Sequence, residues 1–189
     1  MKKITIAAAA LLLSANTFAQ SWSIDKAHSR IGFGIIHLGI NEVDGSFTSF
    51  EGKISNAKPD FNGAEIEFSA ETNSINTGVE ARDKHLKSPD FFDAEKNPKV
   101  SFKSTSFKKE KGKTYKMTGN LTMHGVTKSV TLTATLVGTA TNPMSKKEMA
   151  GFRITGKVNR AQFGIGPSMP AAMLSEDVTI TANTEFSKD

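Results

Sequence analysis

The side chains able to do polar chemistry are few and scattered along this sequence. His28, His37, His85 and His124 are its only histidines, and it has no cysteine. A metal centre needs ligands gathered by close spacing, as in His-Glu-x-x-His or paired cysteines, and neither arrangement occurs. His28 and His37 lie nine residues apart, an odd separation that sets them on opposite faces of one regular strand. The pattern predicts hydrogen-bonded structural imidazoles, with no metal site and no cofactor. Serine, histidine and aspartate are present, but there is no Gly-x-Ser-x-Gly elbow and no spacing that sets a base beside a nucleophile. No catalytic residue is therefore assigned. The conspicuous chemistry is apolar, with thirteen phenylalanines against one tryptophan and one tyrosine. Phenylalanine lines an apolar passage without a polar group that needs a partner. Beside it stand two short clusters. Arg82-Asp83 suits either a polar head group at the mouth of such a passage or an ion pair and cap within a helix. Phe91-Phe92 either gates the mouth or pins its own loop.

The elements that must position these residues are strands. Ala64 to Asn73 places Ile66, Phe68 and Ala70 on one face and Glu65, Glu67 and Glu71 on the other, the signature of a strand between core and water. The same alternation marks Arg30 to Leu38 (Ile31, Phe33, Ile35), Glu42 to Gly52 (Val43, Phe47) and Lys99 to Phe107 (Val100, Phe102). It continues in Thr114 to Met123 (Tyr115, Met117, Leu121), Thr127 to Thr139 (Val130, Leu132, Leu136), Phe152 to Val158 and Asp177 to Phe186. Asn62-Gly63, Lys111-Gly112 and His124-Gly125 supply the positive φ that tight hairpins require. About eight strands with short turns predict an antiparallel all-β sandwich or barrel, and closure into a barrel hides the sheet edges. One segment breaks the rhythm. Thr77-Gly78-Val79-Glu80 reads as a capping box opening a helix that runs to about Lys87, where Ser88-Pro89 ends it. Val79 and Leu86 share a face of that helix with Arg82 and Asp83. Helix and aromatic loop together form a cover for one barrel end. Asn142 to Ala150 and Gly164 to Leu174 read as loops.

Residues 1–19 stand apart. Lys2 and Lys3, the apolar run Ile4 to Leu13 and Thr17-Phe18-Ala19 make a secretory signal peptide with cleavage before Gln20. The run is too short for a bilayer span, and the rest of the sequence holds no longer one, so the mature protein is not expected to be an integral membrane protein. Cleavage leaves 170 residues, one domain, held without disulfides in an oxidising compartment. The net charge of +5 falls to +3 when Lys2 and Lys3 leave. Charges are interspersed, and the run Lys108-Lys109-Glu110-Lys111 falls at a predicted hairpin tip, so no nucleic-acid partner is indicated.

Several stretches together resemble the YceI family of periplasmic polyisoprenoid-binding proteins. They are Trp22-Ser23-Ile24-Asp25 with His28-Ser29, Phe33 with His37-Leu38-Gly39, and Gly45-Ser46-Phe47 with Phe50-Glu51-Gly52. More specific is Ser74-Ile75-Asn76-Thr77-Gly78 leading into Arg82-Asp83-Lys84-His85-Leu86-Lys87-Ser88 and Asp90-Phe91-Phe92-Asp93. Gly119-Asn120-Leu121-Thr122 with His124-Gly125-Val126-Thr127 is also similar. The resemblance implies an eight-stranded lipocalin-like barrel whose lumen holds a long-chain isoprenoid, such as a quinone or polyprenyl compound, or a similar amphiphilic lipid. It implies a periplasmic binding protein rather than an enzyme, and leaves monomer and homodimer open. On that basis the ligand-binding residues are Phe33, Ile35, Phe47, Phe68, Arg82, Phe91, Phe92, Phe102, Met117, Leu121, Leu132, Phe152 and Ile154. Alternation alone favours ordinary core, because a small barrel fills its lumen with side chains whether or not it has a ligand. An enzyme acting on a bound lipid, or a stress protein with a filled barrel, remain the alternatives. A strand of ~10 residues tilted by ~40° gives a barrel about 25 Å tall, enough for roughly twenty carbons in extended form. At ~0.8 kcal/mol per buried CH₂, against ~1 kcal/mol for one hydrogen bond, the tail decides affinity.

Overall fold

The computed structural model describes residues 20–189; the segment expected to be a signal peptide, residues 1–19, lies outside them. The chain forms strands β1 (Gln20–Ile24), β2 (Arg30–His37), β3 (Asn41–Phe47), β4 (Phe50–Ala57), β5 (Glu65–Glu71) and β6 (Ile75–Asn76). One helix follows, α1 (Glu80–Leu86), and then β7 (Lys99–Lys109), β8 (Thr114–Met123), β9 (Val126–Thr141), β10 (Glu148–Asn159) and β11 (Leu174–Lys188). All pairings are antiparallel. β1 pairs with both β4 and β11, and this closes the sheet into a barrel of eight strand positions. Two positions are shared. β1 and β2 follow one another along β11, and β3 and β4 follow one another along β2 and β1. The expected strand Glu42 to Gly52 is therefore broken, with Thr48 and Ser49 at the kink. The N-terminal strand β1 is an element that the alternation did not mark.

The breaks follow from local chemistry. Between β1 and β2 the Asp25 carboxylate accepts from the backbone N–H of Ala27 and His28 and fixes a single 3-10 turn. In β7 the inward side chains are Val100 and Phe102 and then Phe107, a change of parity. A bulge at Thr105 absorbs the extra residue. A second bulge, at Val137 in β9, turns that valine outward at 64% exposure. Gly63, Gly112 and Gly125 have the expected positive φ. The segment expected as a loop from Asn142 to Ala150 is shorter, since Glu148 to Ala150 already pair with Thr139 to Thr141.

The two ends of the barrel differ. At the end holding Gln20 and Asp189, Trp22, Phe61, Phe107, Tyr115 and Phe152 are all at most 6% exposed and pack ring on ring. Trp22 lies 5.3 Å from Phe61, Phe61 is edge-on to Phe152 at 5.2 Å, and Phe107 stacks on Tyr115 at 4.7 Å. Such pairs add about 0.5–1.5 kcal/mol each beyond the area they bury. The Tyr115 hydroxyl donates to the Asp60 carbonyl at 2.7 Å. Burial, with the Asp60 charge added, pushes its phenol pKa upward. This aromatic plug closes the bottom. At the other end β5 stops at Glu71 and β3 splays away, and β6, α1 and the loop of residues 87–98 fill the gap.

The outer wall is polar and carries the ion pairs Glu67–Lys103 (2.7 Å), Glu71–Lys99 (3.4 Å) and Lys26–Glu51. That is the reverse of a membrane-spanning barrel, whose apolar band faces outward. Among the described residues no helix is long and apolar enough to cross a membrane.

Candidate binding cavity

Four inward-facing strand positions carry glycine where a side chain would otherwise fill the lumen. A neighbouring large side chain lies flat across each of them: Phe33 over Gly45, Phe102 over Gly119, Ile24 over Gly52 and Leu132 over Gly156. A Cβ on Gly45 would stand 2.3 Å from the Phe33 Cζ, and one on Gly119 would stand 2.4 Å from the Phe102 Cζ. Rings pressed against the wall leave the barrel axis open.

Two cavities result. The lower, about 150 Å³, lies above the aromatic plug and is lined by side chains such as Phe68, Phe102, Met117, Leu132, Phe152 and Ile154. The upper, about 370 Å³, lies beneath the cover and is lined by Ile35, Arg82, Leu86, Phe91, Phe92, Met169 and Met173, among others. Phe33, Phe47, Val100, Leu121, Val158 and Ile180 border both, so the two lie end to end along the barrel and adjoin at a waist made by these residues. His37, His85 and Met173 line the upper cavity and are also exposed, which places its opening between the β2–β3 turn, α1 and the segment before β11.

All thirteen residues singled out from the sequence line one cavity or the other. The sequence reading did not single out Val158, Ile180, Leu174, Met169, Met173 or Arg160, which also line the passage. Inward glycines mark where the wall is thin, but the large side chain that lies across each one is identified only by the strand register.

Polar groups concentrate at the mouth. In the lower cavity the lining residues with polar side chains are Glu67 and Thr184. The Glu67 carboxylate is engaged outside by Lys103, whose ammonium holds its pKa down. The Thr184 hydroxyl donates to the Phe152 carbonyl at 3.1 Å. The upper cavity adds His37, Thr77, Arg82, His85 and Arg160.

The capping box expected at Thr77 and Glu80 does not form. Gly78 takes φ +76° and turns the chain, so Val79 becomes the N-cap and has no side-chain cap. The Asp83 carboxylate reaches back instead, accepting from the Thr77 backbone N–H at 2.8 Å and its hydroxyl at 2.6 Å. Arg82 donates through Nε to the Thr77 hydroxyl oxygen and through Nη2 to the Thr77 carbonyl. Its Nη1 group makes no hydrogen bond among the described residues. Arg82 and Asp83 are thus joined through Thr77 and not to each other. Leu86 faces the cavity, while Val79, expected on the same face, is 47% exposed.

Phe91 is buried and edge-on to His85 at 4.8 Å, and Phe92 meets Phe47 edge-on at 6.4 Å. Phe91 also shares an apolar cluster with Val158 of β10, so both rings join the cover to the barrel. Arg160, 4% exposed, donates to five backbone carbonyls: Ser175, Ile165, Gly166, Met169 and Leu174. It spends its whole guanidinium on shaping the 164–174 loop over the mouth.

The remaining histidines have ordinary partners. His28 Nδ1 lies 2.9 Å from the Asp25 carboxylate, and His124 Nδ1 lies 3.0 Å from the Phe163 carbonyl. Asp25, His28 and Glu185 bring one ligand atom each within 4.8 Å of one another at the barrel surface, away from the passage.

The YceI-like domain model matches residues 22–186, nearly every described residue. The chain belongs to this family. A Pseudomonas putida relative described as a UPF0312 protein is 41% identical over 189 residues, covering 95% of this chain and 97% of that one. The crystal structure of Campylobacter jejuni YCEI protein superimposes with a TM-score of 0.74 at 30% identity, covering 100% of this chain and 99% of the other. A polyisoprenoid binding domain from Saccharophagus degradans shares the fold with a TM-score of 0.66 at 15% identity, over 89% of this chain and 98% of that domain. The eight-position antiparallel barrel with one short covering helix is thus an architecture that this YceI-like chain has in common with these proteins.

Proposed function

We propose that this protein binds a long-chain isoprenoid-type amphiphile, a quinone or polyprenyl compound, and carries or sequesters it in the periplasm. The observation that carries this reading is the pair of adjoining cavities, apolar from Phe152 at the top of the plug to Phe91 beneath the cover, with free polar groups only at the mouth. The tail lies along Phe102, Met117, Leu132, Phe152, Ile154 and Phe68, and then passes the waist at Phe33, Phe47 and Leu121. Ile35, Phe91 and Phe92 enclose its upper part, and the head group meets the free Nη1 of Arg82. The name of the Saccharophagus degradans domain supports the ligand class.

Binding alone is the chemistry, with no catalytic step. The lower passage has no free polar side chain to act on a tail, and at the mouth the Arg160 guanidinium is fully engaged by carbonyls. Residues 1–19 direct export, and the mature chain starts at Gln20, the first residue of β1. The test is organic extraction of protein purified from the periplasm of the native host, followed by mass spectrometry of extract and protein. The expected result is a stoichiometric isoprenoid lipid and a chain mass that begins at Gln20. Protein that never acquires lipid, whether from the cell or from added isoprenoid, refutes the binding reading. A mature chain that retains Met1 refutes the export reading.

A further inference from the structure

Large apolar side chains exposed to solvent are unevenly distributed over the barrel. Among the described residues, Ile36, Leu38, Ile40, Val79 and Met173 are 37%, 50%, 84%, 47% and 48% exposed, and all five lie at the mouth end. At the plug end there are two, Val137 at its bulge and Met144 in the β9–β10 turn. The concentration is sharpest at the β2–β3 turn, His37-Leu38-Gly39-Ile40-Asn41. Leu38 adopts φ +52° and Gly39 φ +71°, and the Ile40 N–H closes the turn on the His37 carbonyl at 3.1 Å. Positive φ in such turns belongs to glycine, asparagine or aspartate, and a γ-branched leucine there is strained as well as exposed. The turn at the plug end, Glu110-Lys111-Gly112-Lys113, is polar by contrast. The Leu38 N–H donates to the Met173 carbonyl at 2.9 Å, which joins the tip to the loop over the cavity. Both His37 and Met173 line that cavity, so Leu38 sits on its lip.

We infer that the β2–β3 tip, with Met173, docks the protein on a lipid bilayer and holds the mouth of the passage against it for ligand exchange. The inference rests on the reading that the passage takes a lipid. A long isoprenoid leaves a membrane readily only if its tail stays covered. A lip of apolar side chains continuous with the cavity gives that cover, and water between bilayer and mouth would not. A second protein chain fits poorly, because three or four side chains on a narrow turn cannot supply the ~800 Å² per partner of a stable interface. The tip carries no lysine or arginine, and Glu42 follows it. Docking therefore works by insertion of Leu38 and Ile40 rather than by attraction to anionic head groups, and it depends little on salt.

The test uses the mature protein and phosphatidylcholine vesicles, with and without fluorescently labelled geranylgeraniol. Flotation measures docking, transfer of the probe from vesicles measures exchange, and loading from detergent micelles measures the cavity by itself. Burial of one leucine-sized side chain shifts a partition coefficient by about one to two powers of ten. Leu38→Ser with Ile40→Ser, and Ile40→Ser alone, should reduce flotation and vesicle transfer at least tenfold (~10×) and leave micelle loading unchanged. Met144→Ser, at the opposite end, should change nothing. Equal flotation of the tip variants and wild type overturns the inference, as does an equal loss in Met144→Ser. A change from dimer to monomer on tip substitution overturns it in favour of a second copy. Loss of micelle loading in both tip variants overturns it as well, by making the tip part of the cavity. If wild type itself takes no probe from micelles, the lipid-binding reading fails separately, and flotation still decides docking.

Discussion

Gly45→Ala tests the passage at the residues where its two cavities adjoin. Gly45 and Phe33 are directly paired across β2 and β3, and the Phe33 ring lies flat on the glycine. An alanine Cβ would meet the ring Cζ, Cε2 and Cε1 at 2.3, 2.6 and 2.9 Å, where carbon atoms settle at about 3.5–4.0 Å. The ring must move by roughly 1 Å or more. All three atoms are at the free end of the side chain, so the move is a rotation of Phe33 and needs no backbone shift. The wall blocks one direction, so the ring swings into the waist between the two cavities. The fold should lose only about 1–2 kcal/mol, the cost of an off-rotamer ring and mild overpacking. The ligand loses more. At ~24 cal/mol per Å³ of apolar cavity, denying a tail the lower 150 Å³ costs about 3.6 kcal/mol. That is a few hundredfold in Kd.

Delipidated wild type and Gly45→Ala would be titrated with geranylgeraniol and with the shorter farnesol, alongside a thermal melt. The loss should grow with chain length, large for the long prenol and slight for the short one, with a midpoint lowered by a few degrees. Equal affinity of variant and wild type for the long prenol, in a folded protein, would refute a tail running past Phe33. Gly119→Ala is the contrasting case. There the new Cβ also lies 2.5 Å from the Lys103 carbonyl oxygen, which is backbone and cannot rotate away, so stability falls first.

Three further outcomes are expected. Phe102→Glu places a carboxylate at a position 6% exposed, facing the lower cavity, and should cost several kcal/mol together with the extractable lipid, whereas Glu67→Gln on the outer face should keep its lipid. Arg160→Lys offers at most three donors where five carbonyls wait, and should cost about 3 kcal/mol and speed amide exchange in residues 164–174 before the rest of the barrel. His28 and Asp25 titrate as a pair: the hydrogen bond between them raises the His28 pKa above 6.5 and lowers that of Asp25 below 3.8. His28 then stabilises the fold below pH ~6.5 and loses that contribution as pH rises through its raised value, while Asp25 contributes above pH ~3.8 and loses its share as pH falls through its lowered value. NMR titration should show the His28 midpoint displaced upward in wild type and returned toward its ordinary value in Asp25→Asn.

How much of this was legible in the sequence follows from which forces are local. Period-two alternation reports a strand with unlike faces, and it located all eight barrel positions because each strand has one face in the lumen and one in water. It failed where pairing changes the phase. The kink at Thr48-Ser49 and the bulges at Thr105 and Val137 exist because closure requires strands to bend, a demand of the whole barrel that no short window carries. The cap at α1 was misread for a related reason. Thr77 and Glu80 have capping-box spacing, but the left-handed Gly78 displaces the helix start, and Asp83, one turn further on, becomes the acceptor. Arg160 had no local signal at all, because its five acceptors lie between Ile165 and Ser175 and converge only when the loop folds back. The cavity-lining residues were legible as inward apolar positions. Whether that interior was full or hollow depended on the glycines opposite the large side chains, a cross-strand relation visible only once register is known.

The same relation explains how the barrel can be both stable and hollow without a disulfide. Stability is concentrated at the plug, where Trp22, Phe61, Phe107, Tyr115 and Phe152 interlock and where β1 closes the sheet between β4 and β11. Above them, glycines at inward positions give up side-chain packing to leave space. By the same ~24 cal/mol per Å³, the lower cavity alone forgoes about 3.6 kcal/mol, a large part of the 5–15 kcal/mol typical of a domain. A bound tail returns that packing only to the folded state and adds about 2.7 kcal/mol at a hundredfold excess of free ligand over Kd. The gain falls on the residues that line the two cavities and reaches the plug only at its upper face, through Phe107 and Phe152. Ligand should therefore slow amide exchange around Phe33, Leu121 and Val158 far more than around Tyr115. Uniform protection from end to end would mean that the two halves unfold as one unit, and that the plug is not the independent foundation its packing implies.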